Sequence, residues 1–233
     1  PTVHVKWNRN TAVLSGDAML IVAYRLIGQT PSSSLRPVLD LFTQTALEIC
    51  EGQQFDMEFE RRDDVTEEEY MEMIRLKTSV LLGASLQIGA LIGGAQPDDA
   101  LRLYEAGVQL GLAFQIQDDL LDVYGDEQTF GKPIGGDIIH AKKTLLLLYT
   151  LEQLQGDALS ELRSILALSP EERTGKVDRV RQLYDEAGTR TYAEAEVRRL
   201  TDKAFSLIDQ MELRDEGRSL LLALFHTLSG RTK

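Results

Sequence analysis

Apolar positions recur along this chain at helical spacing almost from end to end. A first stretch predicts a helix over residues 10–27, closed by Gly28. Ser32-Ser33-Ser34 with Pro37 predicts a second start, running to Phe59, and Arg61-Arg62-Asp63-Asp64 reads as a polar loop. Thr66 with Glu69 has the capping-box pattern and opens a long helix that stops at Gly93-Gly94. Pro97, with Asp98 and Asp99 in the first turn, opens the next helix, which Gly125 ends. Residues 126–141 read as a glycine-rich polar loop. Further helices follow over 142–155, 157–168, 169–187 and 189–211, with a last one to Leu228. Alternating β-branched positions are absent apart from Thr2-Val3-His4-Val5. No repeat and no linker divides the chain, so residues 1–233 are expected to form one all-α domain, a bundle.

One stretch breaks the apolar pattern in a chemically specific way. Phe114-Gln115-Ile116-Gln117-Asp118-Asp119-Leu120-Leu121-Asp122 sets three carboxylates and two amides in a helical run whose other neighbours are Leu110, Leu112 and Ala113. Asp118 and Asp122 are four apart and share a face, joined by Gln115, with Asp119 flanking about 100° away. Adjacent acidic residues on a helix are usually a solvated face, but here the surroundings are apolar or amide. Carboxylates crowded on such a stripe repel one another and lose hydration. A hard divalent cation relieves both, and magnesium often bridges one or two carboxylates to substrate phosphates. The stripe then runs into Asp126 and the glycine-rich turn Gly131-Lys132-Pro133-Ile134-Gly135-Gly136-Asp137.

Composition narrows the setting. The net charge of −12 argues against a nucleic-acid partner. The single cysteine, Cys50, allows no internal disulfide, fits a reducing cytoplasm, and is expected in the core. Trp7 is expected to pack. Asp17 reads as a buried, hydrogen-bonded carboxylate. His140 and His226 show no partner pattern and are expected in structural or exposed places. No apolar run reaches the length of a membrane span, and no signal peptide is visible.

The run from Phe114 to Asp122, then Gly131-Lys132 to Gly136-Asp137-Ile138 and Lys142-Lys143-Thr144, resembles the second aspartate-rich region of the trans-isoprenyl diphosphate synthases. This is the polyprenyl synthetase family of farnesyl, geranylgeranyl and longer-chain enzymes. Lys77-Thr78 resembles the family's Lys-Thr pair, and Gly52-Gln53-Gln54-Phe55-Asp56 its Gly-Gln-x-x-Asp element. Pro1-Thr2-Val3-His4 resembles the segment after the family's first aspartate-rich motif, and Gly16-Asp17 the helix that follows. The likeness covers essentially the whole chain, in order.

The resemblance implies an antiparallel helical bundle of the isoprenoid synthase type. It also implies a magnesium-dependent condensation of isopentenyl diphosphate with an allylic diphosphate (dimethylallyl, geranyl or farnesyl) through a carbocation, giving a linear and short polyprenyl diphosphate. Metal donors are then Asp118, Asp119, Asp122 and Asp137, with Asp56 and Gln53 in support from a neighbouring helix. Lys77, Lys132 and Lys142 clamp diphosphate. Thr78 and Gln115 offer dipoles to the carbocation, and His4 lies near the isopentenyl pocket. Catalysis falls to Lys77, Thr78, Gln115 and Asp118, with diphosphate itself taking the final proton. A homodimer in the cytoplasm is the family expectation.

One departure stands out. The family's first D-D-x-x-D and the paired arginines after it do not occur, and Pro1 lies just past their place. The expectation is a domain lacking its N-terminal part, inactive alone though its parent is a synthase. Two alternatives remain: a non-catalytic subunit of a heteromeric synthase, and a class I terpene cyclase, which Asp118 to Asp122 with Lys77-Thr78 disfavours.

Overall fold

The computed structural model describes residues 1–125 and 134–229. Its helices are α1 (Val3–Lys6), α2 (Arg9–Ile27), α3 (Ser32–Phe59), α4 (Glu67–Ile74), α5 (Val80–Ile92), α6 (Pro97–Tyr124), α7 (Gly136–Ile139), α8 (Leu145–Gln153), α9 (Gly156–Leu166), α10 (Pro170–Thr174), α11 (Val177–Glu186), α12 (Thr189–Asp209) and α13 (Asp215–Ser229). Among the described residues there is no strand, so the all-α class expected from the pattern holds. No helix among them is long and apolar enough to cross a membrane.

Helix α6 is the axis of the bundle. Pro97 fixes its first turn and Asp98 and Asp99 face its positive end. It packs along α5 on one side and α12 on another, and from Leu110 to Val123 it carries the core residues Leu112, Ala113, Ile116 and Leu120. These meet Leu145, Leu146, Leu147 and Leu148 of α8, all four buried. Four consecutive leucines can all be buried only on a helix covered on every side, and each stabilises the fold by roughly 1.5–3 kcal/mol. Thr66 caps α4 through the expected box with Glu69.

The structure departs from the sequence reading in several places. Thr2-Val3-His4-Val5 is a helical turn, with the Thr2 carbonyl accepting from the amides of Val5 and Lys6. The long helix predicted from Thr66 to Gly93 is interrupted over Arg75–Ser79 by a π-helical segment, in which the Val80 amide reaches five residues back to the Arg75 carbonyl. The helix predicted over 169–187 is two, α10 and α11. They part at Gly175-Lys176, where the Arg173 guanidinium turns back to the Leu168 carbonyl at 2.8 Å. Helix α8 begins at Leu145 because Thr144 caps it. Within the expected loop, Gly136–Ile139 form a helical turn.

Three side chains expected inside lie outside. Cys50 is exposed, Trp7 is 59% exposed, and Asp17 is exposed. All three sit on α1–α3, the least covered part of the bundle: α2 buries no residue at all, although Val13, Leu14, Met19 and Ile21 lie on it.

Candidate active site

Three elements converge at the lower half of α6: the end of α3, the π segment and the turn around α7. Their approach is set by small residues. A Cβ on Gly52 would stand 2.4 Å from the Lys77 amide nitrogen, and one on Gly111 would stand 2.6 Å from the Ser79 Cα. Backbones this close need glycine. The approach of α3 at Gly52 brings Asp56, one turn on, to the Lys77 ammonium, with Oδ2 at 2.7 Å from Nζ. Gln53 Nε2 lies 3.5 Å from the same carboxylate oxygen. The approach of α6 at Gly111 brings Gln115, one turn on, to Thr78, whose hydroxyl donates to Gln115 Oε1 at 3.3 Å. The π segment carries both Lys77 and Thr78, and such segments commonly mark functional sites.

Between these elements lies a cleft of about 120 Å³, open to solvent. Its wall holds the carboxylates Asp56, Glu60, Asp119 and Asp137, the ammonium groups of Lys77, Lys142 and Lys143, and the apolar faces of Phe59, Met73 and Ile74. Tyr70, Gln115 and His140 complete it. Each ammonium has a carboxylate partner: Lys77 with Asp56, Lys142 with Asp137 at 2.6 Å, and Lys143 with Asp63 at 3.5 Å. Lys143 has its side chain 14% exposed and lines the cleft.

The expected stripe on α6 turns out rotated. Asp119, read as flanking, is the deepest of the three carboxylates at 6% exposure and lines the cleft. The reason is helical geometry: Asp119 lies one turn from Ile116 and Val123 and two from Leu112, all buried, while Asp118 lies among half-buried Phe114, Gln115, Leu121 and Asp122. Asp119 Oδ2 accepts from the Tyr70 hydroxyl at 2.5 Å, and Oδ1 accepts from Gln115 Nε2 at 3.1 Å. Asp118 makes no hydrogen bond or ion pair among the described residues. Asp122 Oδ2 accepts from the Asp137 amide at 2.9 Å, and its backbone carbonyl accepts from Gly135 at 2.7 Å. These bonds fasten the α7 turn onto α6.

Burial, and then the charge of Asp137, push the Asp119 carboxyl up to about 7. Burial likewise raises Asp122, against the bond from the Asp137 amide. Burial of the Lys142 ammonium is outweighed by Asp137, with Asp119 and Asp122 behind it, so its pKa stands above the ordinary value. The cleft therefore holds mutually repelling, partly desolvated carboxylates, an oxygen-only set that fits a hard divalent cation. Among the described residues no three histidine, cysteine or carboxylate side chains converge as a ready metal cage.

The structure thus brings Gln53, Asp56, Lys77, Thr78, Gln115, Asp119, Asp122, Asp137 and Lys142 together, with Asp118 at the margin. Lys132 lies outside the described residues. His4 lies on exposed α1, where its ring meets the Thr2 hydroxyl at 3.2 Å, and no hydrogen bond among the described residues ties it to the cleft. Sequence reasoning missed Tyr70, which sits in a glutamate-rich first turn with nothing to distinguish it. It also missed Ala141, whose φ of 49° lets the amides of Ala141 and Lys142 close back on Ile138 and Asp137. This Schellman turn, with alanine where glycine is usual, delivers Lys142 to Asp137.

Comparison with known proteins gives a consistent result. The family described as Polyprenyl synthetase matches residues 1–187. The chain is 40% identical over 196 residues to a short chain isoprenyl diphosphate synthase of Methanothermobacter thermautotrophicus, covering 84% of this chain and 59% of that protein. It is 45% identical over 161 residues to a geranylgeranyl diphosphate synthase of Sulfolobus acidocaldarius, covering 67% of this chain and 49% of that one. The chain thus matches 59% of the length of one relative and 49% of the other. A crystal structure of a geranylgeranyl pyrophosphate synthase superposes with a TM-score of 0.92 at 41% identity, over 100% of this chain and 72% of the other.

Proposed function

The chain belongs to the polyprenyl synthetase family, and from that membership we propose that the whole protein condenses isopentenyl diphosphate with an allylic diphosphate to give a linear, short-chain polyprenyl diphosphate. The observation that carries the reading is the charge pairing of the cleft. Three ammonium groups and a set of repelling carboxylates share one wall, each lysine held by a carboxylate. A diphosphate would take over the lysines and a divalent cation the carboxylates they release, so a metal-diphosphate pair satisfies both sets at once. A bare anion or a bare cation would satisfy only one.

In this reading Lys77 and Lys142 grip the leaving diphosphate as point charges, joined by Lys132. Asp118, Asp122 and Asp137 offer oxygens to magnesium, with Asp119 behind them and Asp56 and Gln53 orienting Lys77. Bound magnesium supplies positive charge against the diphosphate as the allylic bond breaks. Thr78 and Gln115 supply polar groups beside the allylic cation, and the apolar wall of Phe59, Met73 and Ile74 keeps water from it. The released diphosphate takes the proton lost on product formation. Short products are supported by the names of the relatives, which include geranylgeranyl and geranylfarnesyl synthases. A cytoplasmic homodimer belongs to the same proposal, supported by the exposed apolar side chains of α2 and by the single cysteine.

The test is the binding of inorganic diphosphate by calorimetry, with and without magnesium. Binding should require the metal and should weaken about tenfold or more in Lys77→Ala and in Asp118→Ala, each of which removes a charge from the pair. Binding that ignores magnesium, or that both variants retain in full, contradicts the assignment.

A further inference from the structure

A chain of four side chains runs along the cleft wall, where Tyr70, Gln115 and Asp119 line the cleft. The Tyr70 hydroxyl donates to Asp119 Oδ2, Gln115 Nε2 donates to Asp119 Oδ1, and the Thr78 hydroxyl donates to Gln115 Oε1. Every donor in it points toward Asp119. Both Asp119 oxygens accept in this chain, so the NH2 end of Gln115 faces Asp119 and its oxygen faces Thr78. The direction of the Gln115 amide is therefore set by what fixes Asp119. Tyr70 is at 2% exposure, and its ring is packed in the main core with Met73, Ile74 and Ile116, so its hydroxyl is held where it stands. It comes from α4, before the π segment, while Thr78 comes from the segment itself. The chain thus clamps both ends of the π segment to α6.

We propose that Tyr70 is a positioning residue: through Asp119 it fixes the orientation of the Gln115 amide and the place of the Thr78 hydroxyl at the cleft. The proposal rests on the reading of the cleft as a prenyl-transfer site only for its kinetic consequence. The network itself is a matter of geometry. Without the hydroxyl, Asp119 Oδ2 is left buried without its donor, the carboxylate rotates or takes a proton, and Gln115 loses the partner that orders its amide.

The experiment is Tyr70→Phe in the whole protein, beside Tyr192→Phe, which removes a hydroxyl that donates to Glu67 instead. The first readout is independent of activity: the side-chain amide resonance of Gln115 in nitrogen-labelled protein, assigned by its loss in Gln115→Ala. It should move by more than its linewidth in Tyr70→Phe and stay in place in Tyr192→Phe. The second is steady-state kinetics, where Tyr70→Phe should lower kcat about 10- to 100-fold with KM for isopentenyl diphosphate within about twofold. Tyr192→Phe should leave both unchanged. An unmoved Gln115 resonance overturns the proposal whatever the kinetics, as does wild-type kcat in Tyr70→Phe. A wild-type protein that makes no prenyl product overturns the proposed function, while the resonance still decides the positioning role.

Discussion

At the scale of the residue, the site turns on one buried carboxylate. Asp119 is raised to about 7, first by burial and then by the charge of Asp137. In the unfolded chain an aspartate titrates near 4. Between these values the folded state binds the extra proton. The group's contribution to stability is therefore fully present below about pH 4 and is lost as pH rises through about 7. The metal-free protein should melt at a lower temperature at pH 8 than at pH 5. Asp119→Asn, which carries no titrating proton, should remove much of that slope. Thermal melts across this range check it, and an unchanged slope in the variant would remove Asp119 as the source. Magnesium with diphosphate should reverse the loss at pH 8 by neutralising the same carboxylates.

At the scale of the element, close backbone approach and one strained turn place the chemistry. Gly111→Ala would drive a methyl to within 2.6 Å of the Ser79 Cα, where only backbone movement makes room. Overpacking of this kind costs about 1–3 kcal/mol, and the shift should separate Thr78 from Gln115. We expect a lower melting temperature together with reduced kcat, whereas an unchanged Tm would mean that α6 and the π segment separate freely. Ala141→Gly should act the other way. Its φ of 49° suits glycine, so denaturant unfolding should show a gain of about 1 kcal/mol.

These elements also mark where sequence stops being legible. The capping box at Thr66, the proline start of α6 and the glycine end at Gly125 were readable because each is a local chemical rule. The acidic run was readable because charge and amide at helical spacing stand out against leucines, whereas the Lys-Thr pair was readable through its resemblance to the family. The π segment was not, since one extra residue in a turn leaves the apolar period almost unchanged. The rotation that buries Asp119 was not readable either, because it depends on how α6 lies against α8, a long-range fact. Tyr70 was invisible for the same reason: its partner is 49 residues away.

At the scale of the whole molecule, the bundle is closed around α6 and open around α1 and α2. The apolar pattern foretold helices correctly but overstated how much each would bury. Cys50 and Trp7 lie exposed, and α2 buries no residue fully. The same openness sets off the side of the cleft, where α3, the π segment, α6 and α7 hold each other through Lys77–Asp56, Thr78–Gln115 and Asp122–Asp137. If α2 is the face through which two copies meet, Leu14→Glu with Ile21→Glu should convert a dimer to monomers in sedimentation. An unchanged mass would place the contact elsewhere.

The most direct test of the account is to incubate the whole protein with magnesium, labelled isopentenyl diphosphate and each of dimethylallyl, geranyl and farnesyl diphosphate, and to measure the products. The account predicts discrete linear prenyl diphosphates of short length, formed only with both substrates and the metal. A cyclic hydrocarbon from an allylic diphosphate alone, or no product from any pairing, would contradict it.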